Sequence, residues 1–351
     1  MTVAPPPVPG VAPVSDPPVR RLGRWPLVLL TVFVVMLSVA PAVVTTILAG
    51  EAPYDRIFVS FPGLDVAIST AAGQGVADLS STVTVGAVLW ILFFRNVRGR
   101  DASRMAGSVE LTVLQVASAA WATSAGAMIV LEMLDSSGIP FSRLGEPGAM
   151  SFLYDASAFP RAWTVAFVAA MVTFGASMFT ERWTGLLIPL WASVFGVLAP
   201  VAVGQILVGP NHDFGSDAGI YQTLLTSAAF GLLLVGAARV LTGRLIDPLI
   251  LWRLGKTLAV LLPVIVASDL LLAWFKLAGT GLLESVTGWQ ILIRGLFLLG
   301  VVSITATGRV WGRRGRLTAH RITGLLVVTT VMIGGWLGVT TAMTRIPPPQ
   351  Y

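Results

Sequence analysis

Apolar runs near twenty residues recur along the whole chain, each separated from the next by a short polar stretch. They lie at about 25 to 49, 74 to 94, 107 to 134, 160 to 180, 185 to 208, 220 to 241, 257 to 277, 290 to 311 and 322 to 344. A run of that length crosses the hydrocarbon of a bilayer as a helix. The runs lack the two-residue alternation of barrel strands, and backbone groups in hydrocarbon must be satisfied within the segment, so helices are the consistent choice. The pattern predicts an all-α, polytopic transmembrane helical bundle of about nine spans. The run from Trp25 is long enough to span and follows a polar tail, so it reads as a retained first helix rather than a cleaved signal. The domain division that follows is a proline-rich cytoplasmic tail over 1–24, a transmembrane domain over 25–345 and an outer tail over 346–351.

Charge then fixes the expected orientation. With the N-terminus inside, 17 of the 23 basic residues fall on the cytoplasmic side, in short loops such as RRGRLTAHR. Only Arg56, Arg143, Arg161, Lys276, Arg294 and Arg345 fall on the outer half. The positive-inside rule therefore places the N-terminus in the cytoplasm and, with an odd number of spans, the C-terminus outside. Twelve of the 17 acidic residues lie on the outer half, which leaves that side net negative. The high pI is thus accounted for by loops against an anionic leaflet, and no nucleic-acid partner is expected.

Composition narrows the chemistry. The chain is 55% hydrophobic and 11% charged, far from the roughly one-quarter charged residues of soluble domains. It has no cysteine and two histidines, which removes disulfides, thiolate metal sites and cysteine nucleophiles. No phosphate-binding loop, dinucleotide fingerprint, HExxH or Gly-x-Ser-x-Gly motif is present, so no enzymatic activity is expected.

Charges inside spans are costly and are functional candidates by default. Asp269 sits in VIVASDLLLAWFKLAG with Lys276 two helical turns later on the same face, and Arg294 lies in the outer third of the next span. These three form a candidate intramembrane charge group, in which either base is a partner for Asp269. Glu132, with Met128 and Met133 beside it, is a candidate cation site near the outer end of the third span. Glu110, on the same span, is about 33 Å away and cannot join it. His212 and Asp213, adjacent in the outer loop GPNHDFGSD, offer an imidazole and a carboxylate to a metal. Gln115 and Gln222 read as interhelical hydrogen-bonding residues.

Several segments in order resemble the membrane domain of the copper-resistance protein D (CopD) family, in its actinobacterial form. They are DLSSTVTVGAVLWILFF, LTVLQVASAAWATSAGAMIVLEM, SSGIPFSRLGEPGAMSFL, GQILVGPNHDFGSDAGIYQTLLTSAAFGLLLVGAARVL and PVIVASDLLLAWFKLAGTG, together covering about residues 74 to 315. The cytochrome oxidase assembly domain often fused in that branch is not expected here. The resemblance implies a plasma-membrane protein involved in copper transport or delivery, with a copper-binding outer protein or a membrane protein among its partners besides the lipid bilayer. Family members usually carry a histidine after the glycine closing the fifth span, a His-Asp pair, and a histidine opening the sixth. Here Gln205 follows Gly204, His212-Asp213 is retained, and Gln222 stands at the sixth-span position. Copper is therefore the expected cargo, with two of three imidazoles replaced. Two other expectations stand beside it: a structural or assembly subunit of a respiratory membrane complex, and an ion-coupled transporter of another solute.

Overall fold

Each apolar run folds as a helix because no water is at hand to satisfy its backbone, and neighbouring helices then bury their small and polar faces against one another. We describe the architecture from a computed structural model, in which residues 24–94, 108–204, 212–244, 246–277, 280–316 and 318–346 are described, the side chains of 24, 183 and 212–216 excepted. Eleven α-helices follow in order: α1 (Arg24–Ala49), α2 (Ala52–Arg56), α3 (Leu64–Leu89), α4 (Val109–Ser137), α5 (Ala149–Ala156), α6 (Ala158–Phe179), α7 (Leu187–Ala202), α8 (His212–Leu241), α9 (Pro248–Leu277), α10 (Val286–Arg313) and α11 (Ala319–Thr344). No strand occurs among the described residues. All but α2 and α5 are long and apolar enough to cross a membrane, giving nine spans among the described residues. The chain is a multi-pass membrane protein with its lipid-facing surface built from exposed side chains such as Phe33, Phe179, Phe195, Trp274 and Leu296.

Every predicted span is present, with three boundaries moved. The second begins at Leu64, ten residues before its apolar run, with Asp65 exposed in its first turn and Gln74 and Asp78 lining a protein cavity further along. The seventh begins at Pro248 and the fifth closes at Ala202. The outer segments expected to be loops at 50–73 and 135–159 are accordingly shorter and carry α2 and α5. Of the proline-rich tail, residues 1–23 lie outside the described residues.

α3 and α8 are the most buried spans. They cross at two glycines: a Cβ on Gly86 would stand 2.0 Å from the backbone of Gly231, and a Cβ on Gly231 would stand 2.2 Å from the carbonyl oxygen of Thr82. Below that crossing, Trp90, Phe94, Leu114, Leu234 and Val235 close the inner half as an apolar core. Glu110 at the start of α4 pairs there with Arg239 of α8. Above the crossing the helices diverge and enclose a cavity.

Candidate functional site

The cavity occupies the outer half of the bundle, with a volume of about 350 Å³, within the roughly 300–1,000 Å³ of small-molecule sites. Eight of the nine spans contribute to its wall, all but α1. Its inner end is set by Thr82, Trp121, Gly196 and Ser227, one turn or so outside the Gly86–Gly231 crossing.

The outer end is lined by a buried triad from three distant segments. Tyr54 of α2 donates from its phenol to Asp135 Oδ1 at 2.6 Å, while Arg345, just past α11, donates to both oxygens of Asp135 at 3.0 and 3.1 Å and to the Tyr54 oxygen at 3.1 Å. Tyr54 is fixed further by an edge-on contact with Phe61 at 5.2 Å. Burial raises the Tyr54 phenol well above the ordinary tyrosine range, Arg345 pulling it down and Asp135 pushing it up. Burial also disfavours the charged Arg345, but Asp135 outweighs it and holds the guanidinium above its usual value. This triad joins α2, α4 and α11 directly over the cavity.

Arg294 of α10 makes an ion pair with Asp269 of α9, and Gln222 of α8 donates its amide to the same carboxylate oxygen. Arg294 also lies over the Trp336 ring at 4.9 Å and reaches the Met343 sulfur at 3.6 Å. Of the two bases expected for Asp269, the structure thus selects Arg294. Lys276 lines the cavity with no carboxylate in ion-pair distance among the described residues. Gln115 and Gln222 both bond between helices as expected, Gln115 to the Ser177 carbonyl at 3.2 Å.

The candidate cation site is rearranged. Glu132 lines the cavity, 9% exposed, beside the Trp163 indole and near Asp135 and Arg345. Met128 and Met133 do not line it. Met128 is seated between α3 and α4 where a Cβ on Gly73 would meet its sulfur at 2.8 Å, and Met133 packs with Val66, Leu134 and Leu153. Met133, next to Glu132, points about 100° away from it, while Met128, four residues earlier, shares nearly the same face but sits one turn inward, packed against Gly73. The methionine that lines the wall is Met343. His212 and Asp213 open α8, two turns outward from the wall residue Gly219; their side chains lie outside the described residues. Among the described residues, no three His, Cys, Asp or Glu side chains converge as a metal-binding group.

One carboxylate the sequence reading did not single out is Asp78, on α3. It lines the cavity and accepts a hydrogen bond from Thr341 Oγ1 at 2.9 Å. One turn outward, Gln74 accepts from Thr344 at 3.0 Å, so α3 and α11 are joined by two polar contacts in register. The signal available in the sequence was an aspartate among ADLSSTVT, directly preceding an apolar run.

No known family description matches the chain, and no solved structure matches it. It is similar to uncharacterised proteins of mycobacteria. That of Mycobacterium tuberculosis is 26% identical over 192 residues, which cover 54% of this chain and 29% of that protein, and that of Mycobacterium bovis matches to the same extent. A third, from Mycobacterium leprae, is 25% identical over 177 residues, 50% of this chain and 27% of that protein. The chain spans less than a third of the length of the curated relatives it matches.

Proposed function

We propose that this chain is a plasma-membrane protein of the CopD type that takes up or delivers copper from the outer side through the cavity between α3, α4, α8 and α11. The observation that supports the reading is a sheltered cavity in the outer half whose wall carries Glu132 and Met343. The His212–Asp213 end of α8 lies two turns outward from that wall. A net-negative outer side concentrates cations at its mouth. A copper-binding protein on the outer side is the partner this role calls for. The test is direct: the purified chain in detergent is titrated with buffered Cu(I) in competition with a chelator, and cell copper is measured with and without the gene. Binding that weakens in His212→Ala, together with altered cell copper on deletion, supports the reading. Absence of both overturns it.

A second reading, a structural or assembly subunit of a membrane complex, is favoured by one contact. Gln222, at the position where the family resemblance places a histidine, is committed to the Asp269–Arg294 pair. Co-purification of a stoichiometric membrane partner, with no copper bound, supports that reading over the first. The third, an ion-coupled transporter of another solute, has its test in a solute flux that follows the proton gradient without copper.

A further inference from the structure

Of the three acids that line the cavity, Asp135 is paired with Arg345 and Glu132 lies near the same guanidinium. Among the described residues Asp78 has no counter-ion. The charged and titratable groups around it are Glu132 and Asp135 on α4, Arg345 at the end of α11, Lys276 on α9, Arg294 on α10 and Tyr54 on α2. None of these makes an ion pair with Asp78, and α6, α7 and α8, where they border the cavity, present no charge to it. The polar contact made by its side chain among the described residues is the Thr341 hydroxyl. Asp78 stands sixteen residues from Phe94 at the inner end of its span, about 24 Å along the helix. A lone carboxylate so placed is neutralised most cheaply by a proton.

A second, independent observation lies on the same wall. The indole N–H of Trp336, one turn and a half from Thr341 on α11, is buried at 2% exposure and has no acceptor, although Trp336 lines the cavity. That N–H lies just beneath the wall's surface, an unspent donor that a water entering the wall would satisfy. Water in the cavity gives a proton a route from the outer side to Asp78.

We propose that Asp78 is a proton-binding site: its carboxylate accepts a proton arriving from the outer side through the cavity and releases it in exchange for the cation the cavity admits. The site as a proton acceptor stands on the geometry alone; the exchange rests on the transport reading above. The step is a proton transfer from hydronium to Asp78 Oδ, leaving a water in the cavity, with Thr341 turning its hydroxyl from the carboxylate to the Leu337 carbonyl, which it already reaches at 3.1 Å.

The test is infrared difference spectroscopy of the full chain in lipid vesicles across a pH titration. The wild type is expected to show a carboxylic-acid C=O band that bleaches as pH rises. The band is expected to vanish in Asp78→Asn and to persist in Glu132→Gln. Should Asp78→Asn fail to fold, Thr341→Val serves instead: losing a donor to the charged form moves the band's midpoint to higher pH. A band unchanged in Asp78→Asn or with an unmoved midpoint in Thr341→Val, one lost in Glu132→Gln, or no titrating band at all overturns the proposal. Copper-driven proton movement in dye-loaded vesicles then addresses the exchange. Its loss in Asp78→Asn with Cu(I) binding retained supports coupling, and its persistence in that variant overturns it. A chain that binds no copper yet shows the Asp78 band refutes the copper reading and leaves the proton site standing.

Discussion

Arg294 and Asp269 neutralise one another across α9 and α10, and each lies eight residues from the outer end of its own helix, about 12 Å in. The equal depth is what allows two charges on successive spans to meet. Gln222 on a third helix and Trp336 on a fourth complete the surroundings of the pair. Four spans are therefore held at one level by a single charge pair.

Removing one member leaves the other buried without compensation. Asp269→Ala and Arg294→Ala are each expected to cost about 3–5 kcal/mol, whereas an apolar replacement of both costs much less. Thermal unfolding in detergent of the two single variants and the double variant measures the difference. Equal losses in single and double variants would sink this account of the pair.

At the α3–α8 crossing, steric exclusion sets the outcome. Gly86→Ala places a methyl group within 2.0 Å of the Gly231 backbone, and neither backbone can step aside without separating two central spans. A loss of about 1–3 kcal/mol or more is expected, seen as a lower melting temperature. Ala at Gly255, which meets nothing within 4 Å, is expected to leave the melting temperature nearly unchanged and serves as the control.

Tyr54→Phe deletes a phenol bonded to a carboxylate without emptying the space. A hydrogen bond to a charged group contributes about 1.5–3 kcal/mol, so the variant is expected to melt lower by that equivalent at neutral pH. Burial lifts the folded-state pKa of the phenol above its unfolded value of about 10. The contribution is therefore complete below about pH 10 and is lost as pH rises beyond it and the unfolded chain ionises. The stability gap between Tyr54→Phe and the wild type is expected to narrow above that pH.

Gln222→His tests the copper reading from the opposite direction. It returns an imidazole to the sixth-span position while retaining an N–H donor for Asp269. Tighter Cu(I) binding in competition with a chelator is the expected result, since imidazole suits copper and a carboxamide does not. Unchanged affinity would count against a cargo site at this level of the bundle.

The spans were legible because hydropathy over twenty residues reports burial in lipid directly. The start of α3 was not, since Asp65, Ser69, Thr70 and Gly73 lower the hydropathy of the segment ahead of its apolar run. Asp78, inside that run, has no opposite charge near it in sequence to mark it as a candidate. The Asp269–Arg294 contact was readable from two charges in adjoining spans, a local signal. The triad was not, because Tyr54, Asp135 and Arg345 are separated by 81, 210 and 291 positions, and each alone looks like an ordinary residue at a helix end. Met128 and Met133 were misleading for two geometric reasons: Met133, next to Glu132, points about 100° away from it, and Met128, one turn inward on nearly the same face, is taken up in packing against Gly73.

The closed inner half has an electrical meaning. From Ser227, at the cavity's inner end, to Arg239 is twelve residues of α8, about 18 Å, against roughly 30 Å for an uninterrupted hydrocarbon slab. With the cavity hydrated, membrane voltage falls mainly across that shorter distance, and the local field there is steeper by the same ratio. A charge leaving the cavity inward then does nearly all its work against the potential, about 2.3 kcal/mol per 100 mV, between the Gly86–Gly231 crossing and the Glu110–Arg239 pair.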